Sequence, residues 1–162
     1  MVIVKKFDTE TAHIVRNAYS KRCAFNVHGH SYVYEVGISG EVNPEDGMVI
    51  DFGNLKAIKN YIDMFDHTTV LWAQDKEEVL AFFKGEFDRV LIMRKNPTAE
   101  NMAKLIARFI NTWIIANHPE ASFSYIRIWE TVTGSAIATK EDIDSDDTFE
   151  FISEQLVKEL SA

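Results

Sequence analysis

The chain has 162 residues, of which 46% are hydrophobic and 26% charged, and this size and composition fit one globular domain. Its formal net charge of −8 argues against a nucleic-acid-binding protein, which needs clustered basic charge to neutralise phosphates. No secretory leader and no run of about 18 apolar residues is visible, so we expect no membrane association, and the single cysteine fits a reducing, cytoplasmic compartment.

The N-terminal half predicts two strands followed by two helices. The first strand is rich in β-branched residues. In the second, the even-numbered residues from His28 to Ile38 are histidine, tyrosine or aliphatic, and they alternate with the residues between them, which are mostly small or polar. Asp51 is a suitable N-cap for the first helix. In chain order, the predicted elements are strands at residues 2–14 and 28–42, a turn at 43–47, a helix at 51–64 and a weaker helix at 76–87.

The C-terminal half contains the clearest helix of the chain. It follows Pro97, with Thr98 as N-cap and Glu100 in the first turn, and apolar residues recur at helical spacing as far as Ile114. The other predicted elements are strands at 88–94, 123–130 and 135–139, a solvated acidic run at 141–147 and an amphipathic helix at 149–160. Because strands and helices do not alternate regularly, the order predicts an α+β domain with an antiparallel sheet.

Three of the five histidines lie in the two N-terminal strands. His28 and His30 are two residues apart and therefore point to one face of their strand, and His13 ends the preceding strand. Three neutral imidazoles bind Zn²⁺ without cancelling its charge and leave a fourth position open, which is a catalytic arrangement. The alternative is that each histidine is a separate surface residue or a hydrogen-bonded core residue.

The one thiol of the chain lies close to this histidine pair. Cys23 precedes His28 by five residues and follows Lys21 and Arg22. Positively charged neighbours favour a thiolate, so Cys23 is a candidate base or nucleophile. The alternative is a small, inert core residue.

Two further segments carry candidate acid–base or binding groups. Asp66 and His67 are adjacent, and a carboxylate beside an imidazole suits proton transfer, although a helix-end Asp and an exposed His are the simpler interpretation. Glu130 ends an apolar strand, where a carboxylate needs a partner such as the amidine edge of a ligand. A solvent-facing Glu at the rim is the alternative.

Together, these segments resemble the family of 6-pyruvoyltetrahydropterin and 6-carboxytetrahydropterin synthases over about residues 3–140. The matching stretches are residues 7–13, 23–32, 47–56, 66–67, 97–101 and 129–131. The resemblance implies the tunnelling fold (T-fold), an antiparallel β-sheet with helices packed on one face. Sheets of a trimer join into a barrel, and two trimers form a homohexamer with active sites between subunits. We expect this T-fold domain at 1–140 and an acidic C-terminal extension with a short helix, part of the same unit, at 141–162.

The resemblance also assigns a role to nine residues. They are the zinc ligands His13, His28 and His30, the catalytic residues Cys23, Asp66 and His67, and the pterin-binding residues Glu130, Thr98 and Ala99. The Asp-His pair is expected from a neighbouring chain. Glu130 is expected to grip the amidine edge of the pterin.

The implied reaction is the zinc-dependent conversion of 7,8-dihydroneopterin triphosphate to 6-carboxy-5,6,7,8-tetrahydropterin, on the route to queuosine-type deazapurines. Four residues separate Cys23 from His28, a spacing between those typical of carboxy-forming and pyruvoyl-forming members, so a 6-pyruvoyltetrahydropterin synthase is the alternative. An aldolase-like side activity, a non-catalytic zinc- and pterin-binding homologue and a structural zinc domain are further alternatives.

Overall fold

A seven-stranded sheet forms the centre of the protein over residues 1–151, the part that the computed structural model describes. In chain order the strands are β1 (Val2–His13), β2 (His28–Gly40), β3 (Thr68–Trp72), β4 (Val90–Met93), β5 (Ala121–Trp129), β6 (Ser135–Ala138) and β7 (Phe149–Phe151). Across the sheet their order is β6-β5-β2-β1-β3-β4-β7.

The α-helices of this described part connect the strands. They are α1 (Lys21–Phe25), α2 (Lys56–Asp63), α3 (Glu77–Glu86) and α4 (Ala99–Asn117). Both predicted N-caps are confirmed, since Thr98 accepts a hydrogen bond from the backbone of Asn101, and Asp51 accepts one from Gly53 at the 3₁₀ turn that leads into α2. No helix within residues 1–151 has the length and apolar character needed to cross a bilayer.

The main core lies between one face of the sheet and helices α2 and α4. Strands β1 and β2 pair along their whole length, and alternate residues of β2 point into this core. Tyr32 and Tyr34 are fully buried there, in the same hydrophobic cluster as apolar residues of α4 such as Ile106 and Ile110. Burying one large apolar side chain contributes about 1.5–3 kcal/mol. The inner face of β2 therefore fixes which side of the hairpin carries the histidines.

The sheet is mixed, which differs from the wholly antiparallel sheet that we predicted, although the α+β class is confirmed. Strand β3 runs parallel to β1 and to β4, whereas the remaining pairs are antiparallel. Helix α3 forms the crossover between β3 and β4, and its Leu80 and Phe83 pack against Leu71 and Val90. Neighbouring strand residues Val70 and Leu91 face the main core instead. Helices thus cover both faces of the parallel pair, as parallel strands require.

The segment after residue 140 differs from its prediction. Phe149–Phe151 form strand β7, which pairs with the edge of β4, so the predicted helix at 149–160 is wrong at its start, and its remainder lies outside the described residues. The acidic run at 141–147 is not wholly solvated either. Asp147 is 4% exposed, because it forms an ion pair with Lys95 at 2.8 Å. The segment therefore packs on the sheet edge.

Candidate active site

The three predicted metal-ligating histidines lie side by side at one end of the β1–β2 hairpin. His13 is directly opposite His28 in the strand register, and His30 follows two residues later on the same face. The ring centroid of His13 lies 4.5 Å from that of His28 and 5.3 Å from that of His30. Each ring offers a nitrogen, and these three nitrogens all lie within 4.8 Å of one another. One metal ion can therefore contact all three side chains.

Hydrogen bonds to backbone carbonyls orient two of these rings. His13 Nδ1 lies 2.9 Å from the carbonyl oxygen of Pro97, and His28 Nδ1 lies 3.1 Å from that of Asn26. A carbonyl oxygen only accepts, so Nδ1 of each ring is the donor and Nε2 keeps its lone pair. A ring held in this way through its second nitrogen is the usual arrangement of a metal-ligating histidine.

Burial keeps two of the rings in the form that binds metal. His13 is completely buried, and this burial lowers the pKa of its imidazole to about 4. Burial also lowers the pKa of His30, although Glu130 acts in the opposite direction. Both rings are therefore neutral at pH 7. A set of three nitrogen ligands fits Zn²⁺, which accepts three histidines and keeps a fourth position open in catalytic sites.

Glu130 follows β5 and reaches the histidines from the neighbouring strand. Its Oε1 accepts a hydrogen bond of 3.0 Å from the Tyr32 hydroxyl and lies 3.5 Å from His13 Nε2 and 4.0 Å from His30 Nε2. Burial, and then the charge of Glu130, raise the pKa of Tyr32, so its hydroxyl stays protonated and donates. The partner that a carboxylate at this strand end requires is thus Tyr32, two residues beyond His30.

A cavity of about 580 Å³ opens beside the histidines, a volume within the range of small-molecule sites. Six of the nine residues predicted for the site line it, namely Cys23, His28, His30, Thr98, Ala99 and Glu130. His13 is buried beside them. The cavity thus combines a thiol, two of the three clustered histidines and a carboxylate with the start of α4, a set of groups suited to proton transfer next to a metal.

A family profile described as 6-pyruvoyl tetrahydropterin synthase matches residues 2–141. The chain belongs to this family. It is 29% identical over 151 residues to the 6-carboxy-5,6,7,8-tetrahydropterin synthase of Helicobacter pylori. The aligned region covers 90% of this chain and 76% of that protein.

Two solved structures share the fold of this family member. An uncharacterized protein from Wolinella succinogenes has a TM-score of 0.74 at 22% identity, covering 86% of this chain and 98% of that one. The Caenorhabditis elegans 6-pyruvoyl tetrahydropterin synthase has a TM-score of 0.64 at 24% identity, covering 86% and 94%. The predicted family and the predicted T-fold are therefore confirmed.

In this 6-pyruvoyl tetrahydropterin synthase family member, His67 lines a different cavity from Cys23, and Asp66 is adjacent to it in the chain. Asp66 Oδ1 accepts a hydrogen bond of 2.8 Å from the backbone of Glu10, and its Oδ2 lies 3.8 Å from His67 Nε2. His67 is 76% exposed and lines a second cavity of about 380 Å³, to which His30 also contributes. Within one chain, His67 therefore lies beside the histidine cluster but not in the cavity that holds the thiol.

Two contributors to the site were missed in the sequence. Tyr32 is one, and the alternation of β2, which places it on the same face as His30, was the signal for it. The other is the backbone carbonyl of Pro97, which orients His13 across 84 residues. No sequence pattern identifies it, because a carbonyl is common to every residue.

Proposed function

We propose that the protein is a zinc-dependent lyase that converts 7,8-dihydroneopterin triphosphate to 6-carboxy-5,6,7,8-tetrahydropterin. The observation that carries the proposal is the single cavity shared by Cys23, His28, His30 and Glu130. Family membership and the activity named for the Helicobacter pylori relative support the same substrate class. By this proposal the product feeds the synthesis of queuosine-type deazapurines in the cytoplasm.

The pterin ring is held at Glu130. A carboxylate pairs through two parallel hydrogen bonds with an amidine edge, such as the N–H groups of a pterin. The Tyr32 hydroxyl fixes Oε1 of this carboxylate, so the ring has one defined orientation in the cavity. Thr98 and Ala99, at the start of α4, lie along the ring. This orientation presents the carbon that carries the substrate side chain to the thiol.

The histidine cluster holds the metal. His13, His28 and His30 supply three ring nitrogens. Zinc bound there supplies Lewis-acid polarisation of a side-chain oxygen of the substrate. Because His13 and His30 are neutral at pH 7, the ion keeps its double charge.

Proton transfer is the work of Cys23 and of the Asp66–His67 pair. Cys23, as thiolate, removes a proton from the side-chain carbon next to the ring, and His67, polarised by Asp66, exchanges a proton with a side-chain oxygen. In one chain Cys23 and His67 line separate cavities. We therefore propose that a neighbouring subunit of a homohexamer brings its His67 to the thiol, so that each active site lies between subunits.

The test is product identification with purified, zinc-loaded protein and 7,8-dihydroneopterin triphosphate. We expect triphosphate, acetaldehyde and a 6-carboxytetrahydropterin, all detected by mass. A 6-pyruvoyl product would instead establish the alternative activity, which the four-residue spacing between Cys23 and His28 keeps open. Absence of any turnover would overturn both.

The Cys23→Ala variant separates a lyase from a protein that only binds zinc and pterin. We expect it to retain zinc and lose turnover. A variant as active as the parent would contradict the role of the thiol. A structural zinc domain predicts a different result, which is unfolding of the parent when a chelator removes the metal.

A further inference from the structure

Arg16 connects the loop after β1 with the helix that carries the thiol. It lies between His13, the last residue of β1, and Cys23 in α1. Its Nη1 donates a hydrogen bond of 2.9 Å to the carbonyl oxygen of Ala24, and its Nε donates to Asp75 Oδ1. One guanidinium group thus joins α1 to a carboxylate in the turn between β3 and α3.

Helix α1 needs such an external contact. It has five residues, its N-cap Ser20 makes no side-chain capping bond, and Ala24 is its one buried residue. A helix this short is unstable by itself, because nucleation is unfavourable and few hydrogen bonds follow it. The bond from Arg16 satisfies a carbonyl near the C-terminal end of α1, where carbonyls lack helical partners. Arg16 thus adds a side-chain contact to the helix that carries Cys23, whose own carbonyl accepts a hydrogen bond of 3.1 Å from the Val15 N–H.

The backbone of Arg16 is fixed as well. Asn96 accepts a hydrogen bond of 3.1 Å from the Arg16 N–H and donates one of 2.6 Å to the Arg16 carbonyl oxygen. Asn101, in the first turn of α4, donates to the carbonyl of Asn96 at 2.9 Å. The next residue, Pro97, accepts from His13. Arg16 is thereby tied to the same loop that orients a metal ligand.

Asp75 comes from the parallel β3–α3–β4 unit, where it lies in the turn between β3 and α3. Its side chain is only 3% exposed, and its Oδ2 has no hydrogen-bond partner within residues 1–151. A buried carboxylate is costly unless a charged partner compensates it. Arg16 is that partner, with 22% of its side chain exposed. The parallel β3–α3–β4 unit thus supplies the carboxylate that binds Arg16.

We propose that Arg16 and Asp75 are positioning residues that hold Cys23 in the cavity beside the histidine cluster. The catalytic consequence rests on the proposed function, whereas the effect on the thiol itself does not. Lysine at position 16 keeps a positive charge near Asp75 but cannot bond to the carboxylate and to the Ala24 carbonyl in one fixed fork. Arg16→Lys and Asp75→Asn are therefore the test variants.

The experiment compares the zinc-loaded variants with the parent in two assays. In steady-state kinetics we expect kcat to fall by about 10- to 100-fold in Arg16→Lys with KM nearly unchanged, because the thiol is displaced while the pterin contacts remain. In the second assay, iodoacetamide alkylates the single cysteine over a range of pH. We expect the pH–rate profile of alkylation to change in both variants, at unchanged zinc content.

Arg108→Lys is the matched control, because Arg108 Nη1 also donates to two backbone carbonyls, those of Ser145 and Asp147, each at 2.9 Å, away from the site. We expect its alkylation profile and kcat to equal those of the parent. A parental alkylation profile in both Arg16→Lys and Asp75→Asn, or an equal change in the control, would overturn the proposal. If the parent forms no pterin product, the proposed function fails, and the alkylation assay still decides whether Arg16 positions Cys23.

Discussion

The Tyr32 hydroxyl donates a hydrogen bond of 3.0 Å to Glu130 Oε1 across 98 residues of sequence. Tyr32 is fully buried, whereas the Glu130 side chain is 33% exposed and faces the cavity. A rigid core residue thus fixes the orientation of a carboxylate at the cavity wall. The carboxylate is held before any ligand enters.

Replacing Tyr32 by Phe tests this relationship. A hydrogen bond to a charged group contributes about 1.5–3 kcal/mol, so we expect Tyr32→Phe to lower kcat/KM by about 10-fold or more while zinc is retained. Tyr34→Phe is the control, because Tyr34 is equally buried and its hydroxyl bonds to Thr9 at 3.0 Å instead. Both variants lose a buried hydrogen bond and some stability. Equal kcat/KM values in the two would contradict a specific role of Tyr32.

Removal of one metal ligand should abolish zinc binding but not folding. We expect His28→Ala to lose zinc and turnover while its far-UV circular dichroism matches the parent, since the main core is formed by other residues. His118→Ala is the control, because His118 pairs with Glu120 at 3.0 Å away from the cluster. Full zinc occupancy of His28→Ala, measured by elemental analysis after dialysis, would refute the assignment of this ligand.

Buried His13 predicts a loss of stability in acid for the metal-free protein. Its pKa is about 4 when folded and 6.5 ordinarily. Between these values the unfolded chain binds more protons than the folded one, so stability is lost as pH falls from about 6.5 to 4, by up to about 3 kcal/mol. The lowered pKa of His30 adds to the loss. Urea unfolding at several pH values with chelator measures it. If the free energy of unfolding of His13→Gln fell as steeply with decreasing pH as that of the parent, burial of His13 would not be the cause.

Two neighbouring aspartates of the C-terminal segment should differ in their effect on stability. Asp147 has a side chain 1% exposed and contacts Lys95 at 2.8 Å, so we expect Asp147→Ala to lower the free energy of unfolding by about 2 kcal/mol. Asp146 pairs with Arg94 at the surface, where side chains are 55% and 63% exposed, and Asp146→Ala should change it by less than about 0.5 kcal/mol. Thermal or urea unfolding compares them. Equal losses would show that the segment does not dock as described.

The sequence predicted those features that depend on local periodicity. The alternation from His28 to Ile38 gave the inner face of β2, and the pairing of β1 with β2 then brought His13 opposite His28. Capping by Thr98 was likewise local. Cys23 and Glu130 were assigned to the site by resemblance to family motifs; both line the cavity beside the histidines, and their roles stay predictions.

Features that depend on distant pairing were not predictable in this way. Strand β3 is only five residues long and is defined by its parallel partners β1 and β4. Phe149 begins an amphipathic segment whose pattern predicts a helix. In the structure it pairs as a strand with the open edge of β4. Burial of Asp147 depends on Lys95, a residue 52 positions earlier in the sequence.

All three predicted metal ligands belong to one hairpin whose strands end at residue 40. During synthesis this hairpin leaves the ribosome before α4 and β5, so it pairs through contacts that are close in sequence while Pro97 and Glu130 are still missing. The nascent chain therefore gains the three histidines early and Glu130 only later. By the proposed function, catalytic competence therefore appears only with the completed sheet.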